Sequence, residues 1–119
     1  MFRNILQDIV EQSGGGISAA LMGYDGIAVD QYEKPCEGID LQLVVVEYAN
    51  VLKEVKKTVE ILETGEMEEV AIRTERFTVL IRALNDDYFI TLTLLRDGNF
   101  GKARYLLAKE SSRLREALA

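Results

Sequence analysis

Tyr88-Phe-Ile-Thr-Leu-Thr-Leu-Leu95, followed at once by Arg96-Asp-Gly-Asn-Phe-Gly-Lys-Ala-Arg-Tyr105, decides how this chain folds. The first eight residues are apolar or threonine throughout, which suits a central strand covered on both faces. Asp97-Gly98 ends it, and Asn99 stands where it can cap a final helix through Phe100, Ala103, Leu107, Leu114 and Leu118. A strand buried on both faces needs strands beside it and a layer on each side.

The residues upstream supply them. Met67–Thr74 and Phe77–Leu84 read as two further strands, joined by short turns around Glu75-Arg76 and Asn85-Asp86-Asp87. Before them Asp40 is an N-cap candidate for a long helix, 40–64, that stops at Gly65. In it Leu41, Val45, Tyr48, Leu52, Val55, Val59 and Leu62 recur at alternating spacings of four and three. Such a seam also fits a coiled coil, but strands follow after about three heptads, so packing on a sheet is the expectation. Residues 17–22 and 27–32 are strand-like, and Tyr24-Asp25-Gly26 between them is a hairpin turn. Glu33 to Gly38, with Pro35, breaks the pattern. Phe2, Ile5, Leu6 and Ile9 mark a short amphipathic helix over 2–13, stopped by Gly14-Gly15-Gly16. The order is α-β-β-α-β-β-β-α. It implies an α+β fold in one domain, 1–119, with a five-stranded, mostly antiparallel sheet sandwiched by helices.

Composition narrows the function. Net charge is −6, which argues against nucleic acid as the partner. Residues 98–119 nevertheless balance at +3 through Lys102, Arg104, Lys109, Arg113 and Arg115, leaving about −9 on the rest. A basic last helix suits an acidic partner or phosphates, although a solvated face is the simpler reading. The single cysteine, Cys36, excludes an intramolecular disulfide and suits a reducing cytoplasm. There is no histidine to activate it. The N-terminus lacks the pattern of a signal peptide, and no apolar run is long enough to insert into a membrane.

No catalytic or metal-binding constellation is legible. Gly14-Gly15-Gly16 precedes a strand and lacks the Gly-Lys-Ser/Thr of a phosphate loop. Asp97-Gly98-Asn99 lacks the alternating oxygens of a calcium loop, and turn and cap chemistry accounts for it. Glu66 and Glu68 are expected on one face of a strand and Glu69 on the other, as a solvated edge rather than an acid–base pair. No cofactor is implied, and an enzyme is the least favoured class.

Two motifs set in this order carry a resemblance. The Gly-x-x-Arg start of the last helix (Gly101 to Arg104), behind an apolar strand, and the early hairpin Gly14-Gly-Gly-Ile-Ser-Ala-Ala-Leu-Met-Gly-Tyr-Asp-Gly-Ile-Ala-Val29 resemble the Roadblock/dynein light chain family. The resemblance spans nearly the whole chain, and its stand-alone length is closest in type to bacterial MglB-like domains. It implies a profilin-like fold and a homodimer in which edge strands pair and the two long helices lie side by side. It also implies a cytoplasmic regulator or scaffold of a Ras-like small GTPase, one that can stimulate GTP hydrolysis by repositioning the partner's switch regions. A scaffold with no effect on nucleotide turnover is the alternative, and a small-molecule sensor with an apolar pocket is a third class.

The surfaces follow from the wheel of the long helix. Leu43, Val46 and Ile61 fall on its outer side with Glu47, Asn50, Glu54 and Lys57, and this is the expected docking face. That face carries no arginine, which excludes an inserted arginine finger from it. By the resemblance, strand 67–74 pairs with its copy and helix 40–64 adds to the contact. A twofold axis through Ala71 sets Val70 opposite Ile72′, Glu69 opposite Arg73′ and Glu66 opposite Arg76′, a charge-matched register over Glu69, Val70, Ala71, Ile72 and Arg73.

Overall fold

A computed structural model describes residues 2–119; Met1, the first residue of the expected domain, lies outside the described residues. The elements are α1 (Phe2–Gln12), β1 (Gly16–Gly23), β2 (Ala28–Glu33), α2 (Leu41–Leu62), β3 (Glu69–Arg73), β4 (Phe77–Ala83), β5 (Tyr88–Leu95) and α3 (Phe100–Leu118). The expected order stands. The five strands form one sheet in the order β2-β1-β5-β4-β3, antiparallel at every pairing.

β5 is central, as its unbroken apolar pattern requires, and all but its end residues are buried. β1, beside it, is buried along its whole length. Side chains alternate between the sheet's faces, and each face has its own core. Leu21, Leu80, Ile90, Leu92 and Leu94 pack under α1 and α3, against Leu6, Ile9, Leu107 and Leu114. Ala20, Met22, Val79, Ile81 and Phe89 pack under α2, against Val45, Ala49 and Leu52.

The local signals work as the residue types dictate. Asp40 Oδ1 accepts the N–H of Leu43 at 3.1 Å, and Asn99 Oδ1 accepts that of Lys102 at 3.1 Å, so both helices have side-chain N-caps. The three glycines do more than stop α1. Gly15 has φ +111°, and a Cβ there would lie 2.6 Å from Gly98 Cα. The glycine lets the α1–β1 turn press onto the β5–α3 turn, where Gly14 O accepts Asn99 N–H at 2.7 Å.

Three boundaries differ from expectation. α2 ends at Leu62, not at Gly65, because Glu63 takes the left-handed conformation (φ 53°) and closes the helix itself. The strand expected over 67–74 is shorter, so Glu66 and Glu68 belong to the lead-in and only Glu69 sits in β3. β2 starts one residue late, because Ile27 is spent on the turn, its N–H bound to Asp25 Oδ1 and its C=O to Gly23 N–H.

Candidate interaction surfaces

α2 carries two apolar strips besides its sheet-facing side. The outer residues are exposed as the wheel requires: Leu43 at 55%, Val46 at 42% and Ile61 at 72%, with Glu47, Asn50, Glu54 and Lys57 also exposed. They do not form one patch. Leu43 and Ile61 are eighteen residues apart, about 27 Å along the axis, so Leu43 and Val46 make a contact point near the N-terminus and Ile61 a separate one.

The second strip corrects the sequence reading, which put Leu62 in the seam that packs on the sheet. Leu62 is 63% exposed, and Val51 is 49% exposed. Only Leu41, Val45, Ala49 and Leu52 are buried on α2, so the helix beyond Leu52 has no buried residue. At about 100° per residue, Val44, Val51, Val55 and Leu62 lie within an arc of about 40°, with Tyr48 beside them. This flank strip runs along the β3 side of the molecule. Val44 and Tyr48 pack on the same cluster as Val70 and Ile72, and they line a cleft with Thr74 and Phe77.

β3 is an edge of the sheet, and its free backbone is regular. Thr74 N–H donates to Phe77 O, and Ala83 N–H to Glu68 O, in the same register that pairs Glu69 with Arg82. By alternation Glu68, Val70, Ile72 and Thr74 turn their backbone groups to β4, while Glu69, Ala71 and Arg73 turn theirs outward. Among the described residues no side chain bonds those outward groups. An unpaired, unbroken edge of this kind is a template for another strand.

The side chains of β3 alter the expected charge match. Glu69 is largely covered, and its carboxylate is gripped by Arg104 of α3, with Nε at 2.8 and 3.0 Å and Nη2 at 2.7 Å; Arg82 lies 4.0 Å away. Arg73 stacks over the Phe100 ring at 5.9 Å. The Glu69 charge is thus committed within the subunit, and it is not free to set a register against Arg73′.

A cavity of about 890 Å³ opens where the C-terminal end of α2 meets β4 and its following turn. Lys56, Glu60, Glu68, Arg82 and Arg115 line it, which is charged ground rather than the apolar pocket a small-molecule sensor would need. Tyr24 borders it, with Lys56 Nζ 4.4 Å from its ring centroid and the Phe89 ring tilted against it at 5.0 Å. Burial, and then the charge of Asp86, push the Tyr24 hydroxyl up to about 12. Among the described residues no group of three or more His, Cys, Asp or Glu is arranged to hold a metal. Nor, among the described residues, is any helix long and apolar enough to cross a membrane.

No protein-family model and no curated protein matches the chain. Solved structures do. This chain belongs to the Roadblock family. MglC from Myxococcus xanthus is 38% identical, with 98% of each chain covered and a TM-score of 0.72. The Roadblock/LC7 domain from Streptomyces avermitilis is 11% identical, covering 96% of this chain and 94% of its own, at a TM-score of 0.82. Myxococcus xanthus MglB is 9% identical over 98% of this chain and 93% of its own, at 0.85. The last two likenesses are of fold.

Proposed function

We propose that the chain is a homodimeric regulator or scaffold of a Ras-like small GTPase, working in the cytoplasm without a cofactor and without a catalytic centre of its own. The observation that carries this reading is the separation of two apolar strips on one helix. The flank strip (Val44, Val51, Val55, Leu62) adjoins the open β3 edge, so strand pairing and helix packing can be satisfied together by a second copy. In that arrangement β3 meets β3′ through Glu69, Ala71 and Arg73, with Val70 and Ile72 beside α2. The outer contact point (Leu43, Val46) then remains exposed on the dimer, with Glu47, Asn50, Glu54 and Lys57 as polar neighbours that can orient a partner.

The resemblance to MglB-like domains supports a GTPase as that partner. No arginine lies on the outer side of α2, so any stimulation of hydrolysis acts through the partner's own switch segments rather than an inserted guanidinium. Leu43→Asp with Val46→Asp tests the surface. A central anchor is worth about 2 kcal/mol or more, so binding should fall by roughly 30-fold or more while the mass of the dimer is unchanged. Undiminished binding would assign the partner to another face. If a bound GTPase turns over GTP at its intrinsic rate, the nucleotide-independent scaffold is the correct form of the proposal.

A further inference from the structure

The two edges of the sheet are built in opposite ways. β3 pairs with β4 in unbroken register and leaves its outer backbone groups unclaimed. At β2, Lys34 N–H donates to Ile17 O, and the pairs run in register from Glu33 to Asp30. Alternation therefore turns the backbone of Lys34, Tyr32 and Asp30 to β1 and that of Gln31 and Glu33 outward. Gln31 would be the middle contact for an incoming strand, and both of its outward groups are already taken. Its N–H donates to Asp30 Oδ1 at 2.8 Å, and its C=O accepts from Arg3 Nη1 at 2.8 Å.

Arg3 comes from α1, which lies along this edge and grips it at two points. At one end the Arg3 guanidinium sits 5.7 Å from the centroid of the Tyr32 ring. At the other, Tyr32 O–H donates to Glu11 Oε1 at 2.8 Å, and Lys34 pairs with Glu11 Oε2 at 3.4 Å. The register also slips by one between Leu21 and Met22, where Val29 is the extra residue on β2. A bulge bends an edge strand away from a flat partner. The capped backbone of Gln31 and the bulge both act against pairing at β2, and neither feature occurs at β3.

We propose that α1 is a latch on the β2 edge, and that the caps Arg3 and Asp30 place on Gln31 confine strand-to-strand association of this chain to β3. The occupant kept out is a second copy of the chain. A dimer joined at β3 carries a β2 edge at each end, and two open ends per unit would allow chains of dimers to grow. The latch closes the assembly at two subunits. This inference rests on the β3 dimer of the proposed function.

The test removes both caps, Arg3→Ala with Asp30→Ala, which leaves the net charge at −6 because one charge of each sign is lost. Asp8→Ala with Lys109→Ala is the charge-matched control, since both residues are exposed and neither bonds the β2 edge. Light-scattering mass is read over a concentration series, with circular dichroism to confirm folding. The uncapped variant should grow beyond two chains as concentration rises, and the control should not. Adding Ala71→Pro to the uncapped variant should hold growth at two chains, now joined at β2. Amide exchange at Gln31 should quicken by up to about tenfold on loss of its bond to Asp30. An uncapped variant that keeps the wild-type mass at every concentration, with the Gln31 amide freed, overturns the latch. Should the uncapped variant unfold, Arg3→Met alone keeps the stem over Tyr32 and is judged by the same mass. A wild-type monomer would sink the β3 dimer instead, and the latch would then be judged on whether uncapping produces a dimer.

Discussion

Replacing Ala71 by proline separates the outer edge of β3 from its inner one. Ala71 turns its N–H away from β4, so proline removes no bond of the β3–β4 ladder; edge strands accept proline where the N–H faces outward. In a twofold pairing through Ala71, each subunit's Ala71 N–H donates to the other's carbonyl, so two inter-strand bonds are lost and two carbonyls left unpaired. Each buried carbonyl without a partner costs about 1–3 kcal/mol, or about 2–6 kcal/mol for the pair. That corresponds to a dimer weakened by at least roughly 30-fold. Sedimentation equilibrium over a dilution series, with urea unfolding of the monomer alongside, reads both quantities. The expected result is a lower association constant with monomer stability nearly unchanged. A variant that dimerises like wild type refutes pairing through this part of β3.

Three further outcomes follow from the packing. Val51→Asp should weaken the dimer in the same sedimentation assay whereas Leu43→Asp should not, because Val51 lies on the flank strip and Leu43 on the outer side; equal effects would merge the two strips into one surface. Thr93 is fully buried under α2 with no hydrogen-bond partner for its hydroxyl, so Thr93→Val should stabilise by about 1 kcal/mol, raising Tm by about 3–5 °C in a thermal melt; a lower Tm would mean that the hydroxyl is bonded. The folded pKa of Tyr24, about 12, exceeds its ordinary 10, so the folded chain holds this proton more tightly than the unfolded one. Its contribution to stability is therefore complete below pH 10 and lost as pH rises through 12, and urea titrations of wild type and Tyr24→Phe should diverge only in that window.

Much of the fold was legible because its signals are local. The unbroken apolar run of β5, the Asp-Gly turn and the Asp40 and Asn99 caps each act within a few residues. The division of α2 was not. The sheet-facing and flank directions adjoin on the wheel, so Val51 and Leu62 fit either, and the wheel does not say how far along the helix the sheet gives cover. The Glu69–Arg104 grip was equally hidden. Its partners stand 35 residues apart, and only the fold of α3 behind β3 brings them together. For the same reason the charge match across Ala71 looked sufficient from sequence, when half of it was already committed inside the subunit. Arg3 and Gln31, 28 residues apart, carried no signal as a pair.

The central claim is tested most directly by offering the immobilised dimer to native lysate, once with a GTP analogue and once with GDP, and identifying the retained small GTPases. Retention of one GTPase in the GTP-analogue state, lost with Leu43→Asp and Val46→Asp, is the predicted result. A dimer that retains no GTPase in either state, or retains one equally in both, contradicts a regulator that reads the nucleotide.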